Sequence, residues 1–287
     1  MKILNYLAIA ALACTLAVAC GKDNEKTNSL TETTYYDQEA QFTLPENSAG
    51  YDQVTFYGNG DCVLRRDTEI QPLSLQPRKR VPNYVYEVYQ YTVNGNVYTI
   101  IGFGTITYDE SAGTLTIAIQ GGGDPIMIPN VTKAPVLNGV SALVKICRKW
   151  TVARIDINVK GGELATAGVG RIFDNGNLDE IAAYLKKNKV NFSEDITGYN
   201  ITGITLGKTG SILVQFSDHK PYMGTWSLKD GAFSYEFNYN EGNQILNGEA
   251  AGTLAISNDK CIISLVGSIK GSANYTSTIE ITLKPAK

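Results

Sequence analysis

The chain has 287 residues, 25 of them basic and 28 acidic, a formal charge of −3 with only 18% of residues charged. A balance this even, with no clustered basic excess, gives no phosphate-tracking surface, so nucleic acid is not an expected partner. One histidine and five scattered cysteines cannot assemble a conventional transition-metal site, and no metal or cofactor is expected.

At the N-terminus, Met1 and Lys2 make a short basic tip, and Ile3 to Ala19 are almost wholly apolar, broken by Asn5, Tyr6 and Thr15. A basic tip, apolar middle and small-residue end is the layout of a secretory signal, too short for a bilayer-spanning helix of about 20 residues. Ala17-Val18-Ala19-Cys20 resembles the lipobox of bacterial lipoproteins, with Ala17 where that family prefers Leu. The resemblance implies cleavage of residues 1–19 and acylation (palmitate among the chains) of Cys20. Three acyl chains exceed the two signals that stable membrane anchoring requires. Gly21-Lys22-Asp23-Asn24-Glu25 is similar to the Lys-plus-acid tag of surface-exported lipoproteins of Bacteroidetes, which implies an outer-membrane address facing the exterior. Residues 20–33 read as a flexible tether. The processed chain would hold 268 residues, 24 basic and 28 acidic.

Strand signals run from residue 34 to 123, an expected first antiparallel β domain. Val54-Thr55-Phe56-Tyr57 is closed by Gly58-Asn59-Gly60, and Cys62-Val63-Leu64 returns. Pro72, Pro77 and Pro82 surround Arg78-Lys79-Arg80, an expected exposed loop. In residues 84–119, Asn94-Gly95 between two β-rich runs predicts a hairpin with a type I′ turn. Asp109 to Gly113 predicts the next turn. Gly121-Gly122-Gly123-Asp124 lacks the Lys-Ser/Thr of a phosphate-binding loop and reads as plain loop. Pro125, Pro129 and Pro135 mark residues 124–138 as a linker.

The second half, 139–287, opens with an expected short helix to Arg148. Ala153, Ile155, Ile157 and Val159 then alternate with Arg154, Asp156, Asn158 and Lys160. Phe233, Tyr235, Phe237 and Tyr239 alternate with Ser234, Glu236, Asn238 and Asn240, and Ile279, Ile281 and Leu283 with Thr278, Glu280, Thr282 and Lys284. Period two with one apolar face is a half-buried antiparallel strand. One helix interrupts: Asn177 can cap it, Glu180 sits at the capping-box position, and Leu178, Ile181, Ala182 and Leu185 form its stripe. The expected fold class is all-β, with two antiparallel β domains and one inserted helix in the second.

Three stretches carry a further resemblance: Lys149-Trp150-Thr151 after the entry helix, Gly210 to Phe216, and Tyr222-Met-Gly-Thr-Trp-Ser-Leu-Lys-Asp-Gly231. With Gly252-Thr-Leu-Ala-Ile256 as a closing strand, residues 139–287 resemble the lipocalin-like domains of Bacteroidetes lipoproteins. This implies a barrel or open barrel whose interior either packs solid or holds one small apolar ligand. Arg148 where that family commonly has Gly, and the helix at 177–189, depart from its pattern. Phe103-Gly-Thr-Ile-Thr-Tyr108 and Gly113-Thr-Leu-Thr-Ile117 echo Gly252 to Ile256, so a duplicated β unit is one reading.

Candidate chemistry is sparse. His219, the single histidine, sits in Ser217-Asp218-His219-Lys220, where adjacent side chains point apart, and Glu194 with Asp195 carries no sign of a catalytic couple. No enzyme is expected. Binding has two candidate sites: Phe233, Tyr235, Phe237 and Tyr239 lining the barrel for an apolar ligand, or the Tyr-rich hairpin of residues 84–108 for a glycan. In that hairpin Tyr84 and Tyr86 share one face and Tyr89 and Tyr91 the other. A surface assembly or scaffold role is the other expectation. Cys62, Cys147 and Cys261 read as buried small side chains ahead of a Cys147–Cys261 bridge.

Overall fold

The computed structural model describes residues 39–45, 48, 50–68, 84–137, 145–161, 164, 168–190, 200–217, 219–230, 232–241, 244–257, 260–270 and 274–286, with backbone alone for 238–241, 244–251, 257, 267–270 and 274–275. The signal segment, Cys20, the tether, Arg78-Lys79-Arg80 and most of the entry helix lie outside these residues.

The described residues form two antiparallel sheets. The first contains β1 (Ala40–Thr43), β2 (Gln53–Phe56), β3 (Asp61–Asp67), β4 (Tyr84–Asn94), β5 (Val97–Ile100), β6 (Gly104–Asp109), β7 (Thr114–Ile119), β8 (Ile126–Ile128) and β9 (Thr132–Lys133). Its order is β8-β7-β6-β5-β4-β3-β2-β1-β9, a curled meander. The end strands β8 and β9 are consecutive in the chain, so residues 129–131 cross from one edge of the sheet to the other. The segment expected as a linker from 124 is thus corrected: Ile126–Ile128 and Thr132–Lys133 are ladder strands. Pro129 breaks the ladder between them because it offers no N–H.

The second sheet contains β10 (Lys149–Gly161), β11 (Val169–Phe173), β12 (Ile201–Leu206), β13 (Ser211–Phe216), β14 (Tyr222–Lys229), β15 (Ala232–Glu241), β16 (Gln244–Ser257), β17 (Lys260–Lys270) and β18 (Asn274–Pro285). Pairing of β10 with β18 closes β10 and β12 to β18 into an eight-stranded barrel. The edge of β10 pairs with β12 at Lys149 and Trp150, and with β11 from Ile155 to Val159. A helix, α1 (Leu178–Lys187), follows β11. Asn177 caps it, its side-chain oxygen accepting from the N–H of Asp179 at 3.0 Å and of Glu180 at 3.3 Å. Leu178, Ile181 and Leu185 join the barrel's core cluster.

The alternation holds for β15 and β18: Phe233, Tyr235, Phe237, Ile279, Ile281 and Leu283 are buried, and Glu236, Thr278, Glu280 and Lys284 exposed. Two local expectations are corrected. In β10 the register shifts between Val152 and Arg154, so Trp150 and Val152 point inward at one end and Ile155, Ile157 and Val159 at the other. Ala153 is the inserted residue; a bulge reverses parity along a strand. In the β4–β5 hairpin Asn94 pairs with Val97, which makes Gly95 and Asn96 the central turn residues. Positive φ falls on Gly95 and not on Asn96, the signature of a type II′ turn with Gly first. The Asp109 turn forms as expected, its Oδ1 accepting from the N–H of Ser111 and Ala112 at 3.0 and 3.1 Å.

The two sheets pack on each other. Val54, Phe56, Cys62 and Leu64 fill the first sheet's own core, while Tyr57 and Val63 join Leu213 and Met223 in a separate cluster between the sheets. Tyr86 and Val88 of β4 pack against that cluster. Double-sided burial explains the unbroken buried runs Gln53–Phe56, Asp61–Leu64, Gly203–Leu206 and Ser211–Val214. Among the described residues, polar contacts across the seam include Lys149 Nζ with Asp61 Oδ2 at 3.1 Å, the Lys208 N–H donating to Glu39 Oε1 at 3.0 Å and the Tyr86 hydroxyl donating to Met223 O at 3.4 Å.

The same turn recurs on both sides of the seam. Tyr57 N–H donates to Asp61 O and Gly60 N–H to Tyr57 O; Gly207 N–H donates to Ser211 O and Gly210 N–H to Gly207 O. An aromatic side chain from the strand after each hairpin, β4 or β14, latches its turn: Tyr91 Oη donates to Tyr57 O at 2.9 Å, and Trp226 Nε1 to Gly207 O at 3.0 Å. The halves thus repeat one β unit at this point. Gly207 must be glycine because a Cβ there would lie 2.5 Å from Ser211 Oγ, 2.7 Å from Glu39 Oε1 and 3.0 Å from the Tyr57 ring.

Candidate functional site

The barrel interior is packed with its own side chains. Phe233, Tyr235 and Phe237 form a chain of rings with centroids 5.9 and 5.2 Å apart, and Trp226 lies 6.2 Å from Phe233. Trp150, Phe173 and the apolar stripe of α1 belong to the same cluster. Burial raises the Tyr235 hydroxyl well above the usual tyrosine range. These three rings are core; the Tyr239 side chain lies outside the described residues.

The tyrosines of β4 divide between two faces, as their spacing requires. Tyr84 and Tyr86 stand side by side at 6.5 Å, with the Arg65 guanidinium 4.3 Å over the Tyr84 ring. Tyr86 faces the seam, its hydroxyl donating to Met223 O at 3.4 Å. On the other face Tyr91 is buried, and Tyr89 packs 5.7 Å from Phe103 and donates to Glu87 at 2.9 Å. Burial and the Glu87 carboxylate push the Tyr89 hydroxyl up to about 12. The structure therefore does not bring the four rings together into one stacking platform.

What the first sheet does form is a cleft of about 570 Å³ at one end of its curl. Tyr98 and Tyr108 supply its aromatic wall, the turns at Asn96 and at Asp109 to Ser111 its rim, and Lys133 its far side. Glu39 and Ala40, at the entry to β1, close the floor. Tyr98 stacks on Phe56 at 4.0 Å, and Tyr108 leans on Phe42 at 4.7 Å, so both rings are braced from behind. Lys133 Nζ sits 5.4 Å over the Tyr108 ring and 3.7 Å from Glu110. Hydrogen bonds from Ser111 and the Ala112 N–H hold the Asp109 carboxyl below the usual carboxylate range. Glu39 is different: burial pushes its carboxyl up to about 7, against the lowering effects of the Lys208 and Gly58 N–H groups and the Lys208 charge.

The volume lies within the 300–1,000 Å³ typical of small-molecule sites. Hydroxyl, amide and carboxylate groups beside the Tyr108 ring can hydrogen-bond a polar ligand and pack on its flat side, with Tyr98 part of the core behind. Tyr98 and Tyr108 lie within the hairpin region singled out by sequence, but Glu39 and Lys133 carried no local signal. They reach the cleft only because the sheet curls.

Among the described residues no group of three His, Cys, Asp or Glu side chains could hold a metal ion. His219 is exposed in the turn between β13 and β14. Cys62, Cys147 and Cys261 are buried free thiols; burial raises Cys62 well above its usual range and pushes Cys147 and Cys261 up to about 12, as expected of inert core thiols. No helix of the described residues is long and apolar enough to cross a membrane. No protein-family model matches the chain, and no curated protein matches it.

Proposed function

We propose that this is a non-enzymatic, lipid-anchored cell-envelope protein that binds a small, hydroxyl-rich ligand of sugar size in the cleft of its first sheet. The barrel serves as a support. The cleft carries the reading: it combines a half-open volume of ligand size with the braced, partly buried Tyr108 ring and a polar rim. It relocates glycan capture from Tyr84, Tyr86, Tyr89 and Tyr91 to Tyr98 and Tyr108. A small apolar ligand in the barrel is less well supported, because Phe233, Tyr235 and Phe237 pack against one another and against Trp226.

Cys20 supports the address, acylated after removal of residues 1–19 and tethered by residues 20–33 to the outer membrane, facing the exterior. Cys20→Ser releases the protein from membranes and abolishes labelling by a fatty-acid analogue; unchanged fractionation and labelling would reject the anchor. For the cleft, saturation-transfer NMR against neutral mono- and disaccharides gives signal with the parent. Tyr108→Ala lowers affinity at least roughly tenfold, the scale of one lost aromatic contact of about 1.5 kcal/mol. Equal signal from Tyr108→Ala would place binding elsewhere.

A further inference from the structure

Glu39 belongs to the first half by sequence and to the second by hydrogen bond. It precedes β1, lies in the floor of the cleft, and is 5% exposed. Its Oε1 accepts from the Lys208 N–H, in the turn that Trp226 latches through Gly207 O. A single carboxyl therefore touches the cleft, the seam and the repeated turn.

We propose that Glu39 is a proton-controlled latch: neutral, it lets the Gly207–Gly210 turn close on the first sheet, and ionised, it loosens the seam beneath the cleft. A neutral carboxyl can lie among Tyr57, Gly207 and Ser211 without solvation, whereas a carboxylate there must be rehydrated, and water can reach it only by parting the seam or entering the cleft. Burial decides this against the groups that face it, whose N–H donors and charge favour the carboxylate. From the turn come the Lys208 N–H and charge, from the β2–β3 turn the Gly58 N–H, and from the residues before β10 the neutral Cys147 thiol. Lys133, Asp109 and Glu110 line the same cleft as Glu39, one cation and two carboxylates. Asp61, nearby in the seam, is already joined to Lys149.

Because the folded carboxyl titrates near 7 and an ordinary one near 4.5, the folded state holds the proton more tightly. The resulting stability is fully present below about pH 4.5 and is lost as pH rises through about 7. The seam is thus tightest in acid. A consequence for ligand binding rests on the cleft being the binding site; the latch itself does not.

The indole N–H of Trp226 reports the turn directly and is assigned by its loss in Trp226→Phe. In the full chain its NMR shift should move with pH with a midpoint near 7, and the thermal midpoint should fall over the same range. In Glu39→Gln both should be flat. His219→Gln must leave the transition unchanged, which separates the latch from the one histidine of the chain. A flat Trp226 signal in the parent, or the same transition in Glu39→Gln, overturns the latch. Should Glu39→Gln fail to fold, the carboxyl ¹³C shift of Glu39 in the parent decides, and a midpoint below 5.5 overturns it. If no saccharide binds yet Trp226 still titrates through Glu39, the cleft reading fails and the latch stands.

Discussion

Phe237→Ala is expected to lower the unfolding free energy by roughly 3–5 kcal/mol, the usual loss of transfer energy plus cavity for a buried aromatic. Phe237 is 1% exposed, 5.2 Å from the Tyr235 ring, and part of the barrel's continuous core. Its neighbour Glu236 points outward, and Glu236→Ala should stay within about 0.5 kcal/mol. Urea unfolding of both variants provides the measurement. A hollow barrel would give a clearly smaller loss for Phe237→Ala together with uptake of an apolar fluorescent probe by the parent. A larger cost for Glu236→Ala than for Phe237→Ala would mean that the strand register is inverted.

Leu213→Asp tests the seam. Leu213 is fully buried between the sheets with Tyr57, Val63 and Met223, while its neighbours Ile212 and Val214 face the barrel core. Truncation to Ala alone costs about 2–5 kcal/mol. Asp adds a carboxylate to a largely apolar cluster whose only donors among the described residues are the Tyr57 and Tyr86 hydroxyls, too few to solvate it, so the seam opens. Each sheet keeps a core cluster of its own, so the parent should unfold in one transition and Leu213→Asp in two. A single transition at a modestly lower denaturant midpoint would mean the seam does not couple the halves.

Strand phrases were legible wherever one face is buried, as at Phe233 to Phe237 and Ile279 to Leu283, because period two reports a single buried face. The cap at Asn177 was equally plain, since capping is local chemistry. Where a single residue sets the register, sequence was less informative. The dipeptide Asn94-Gly95 fits one turn type and Gly95-Asn96 another, and the register that pairs Asn94 with Val97 and Val93 with Tyr98 belongs to the second. The inserted Ala153 could not be seen in an alternation that looks regular from either side. Unbroken runs such as Ser211–Val214 are buried on both faces, which a reading for period two passes over, and nothing local says which surface covers the second. The cleft was hardest to read: Glu39 and Lys133 are 94 positions apart, and only the curl of the sheet puts them at one opening.

The repeated turn has a consequence at the position of Glu39. Phe42 pairs with Val54 and Trp150 with Ile204, each partner three residues before its turn, so counting back aligns Glu39 with Cys147. Two identical halves would set two carboxyls at equivalent places beside one seam, and neighbouring carboxyls share protons and titrate in two separated steps. This chain places a thiol at the second position. Burial, reinforced by the charge of Glu39, pushes that thiol up to about 12, so it stays neutral while Glu39 ionises. Broken symmetry therefore leaves one proton to exchange where a matched pair would couple two. A one-proton site has a Hill slope of one, which makes the seam a graded gauge of acidity instead of a threshold device.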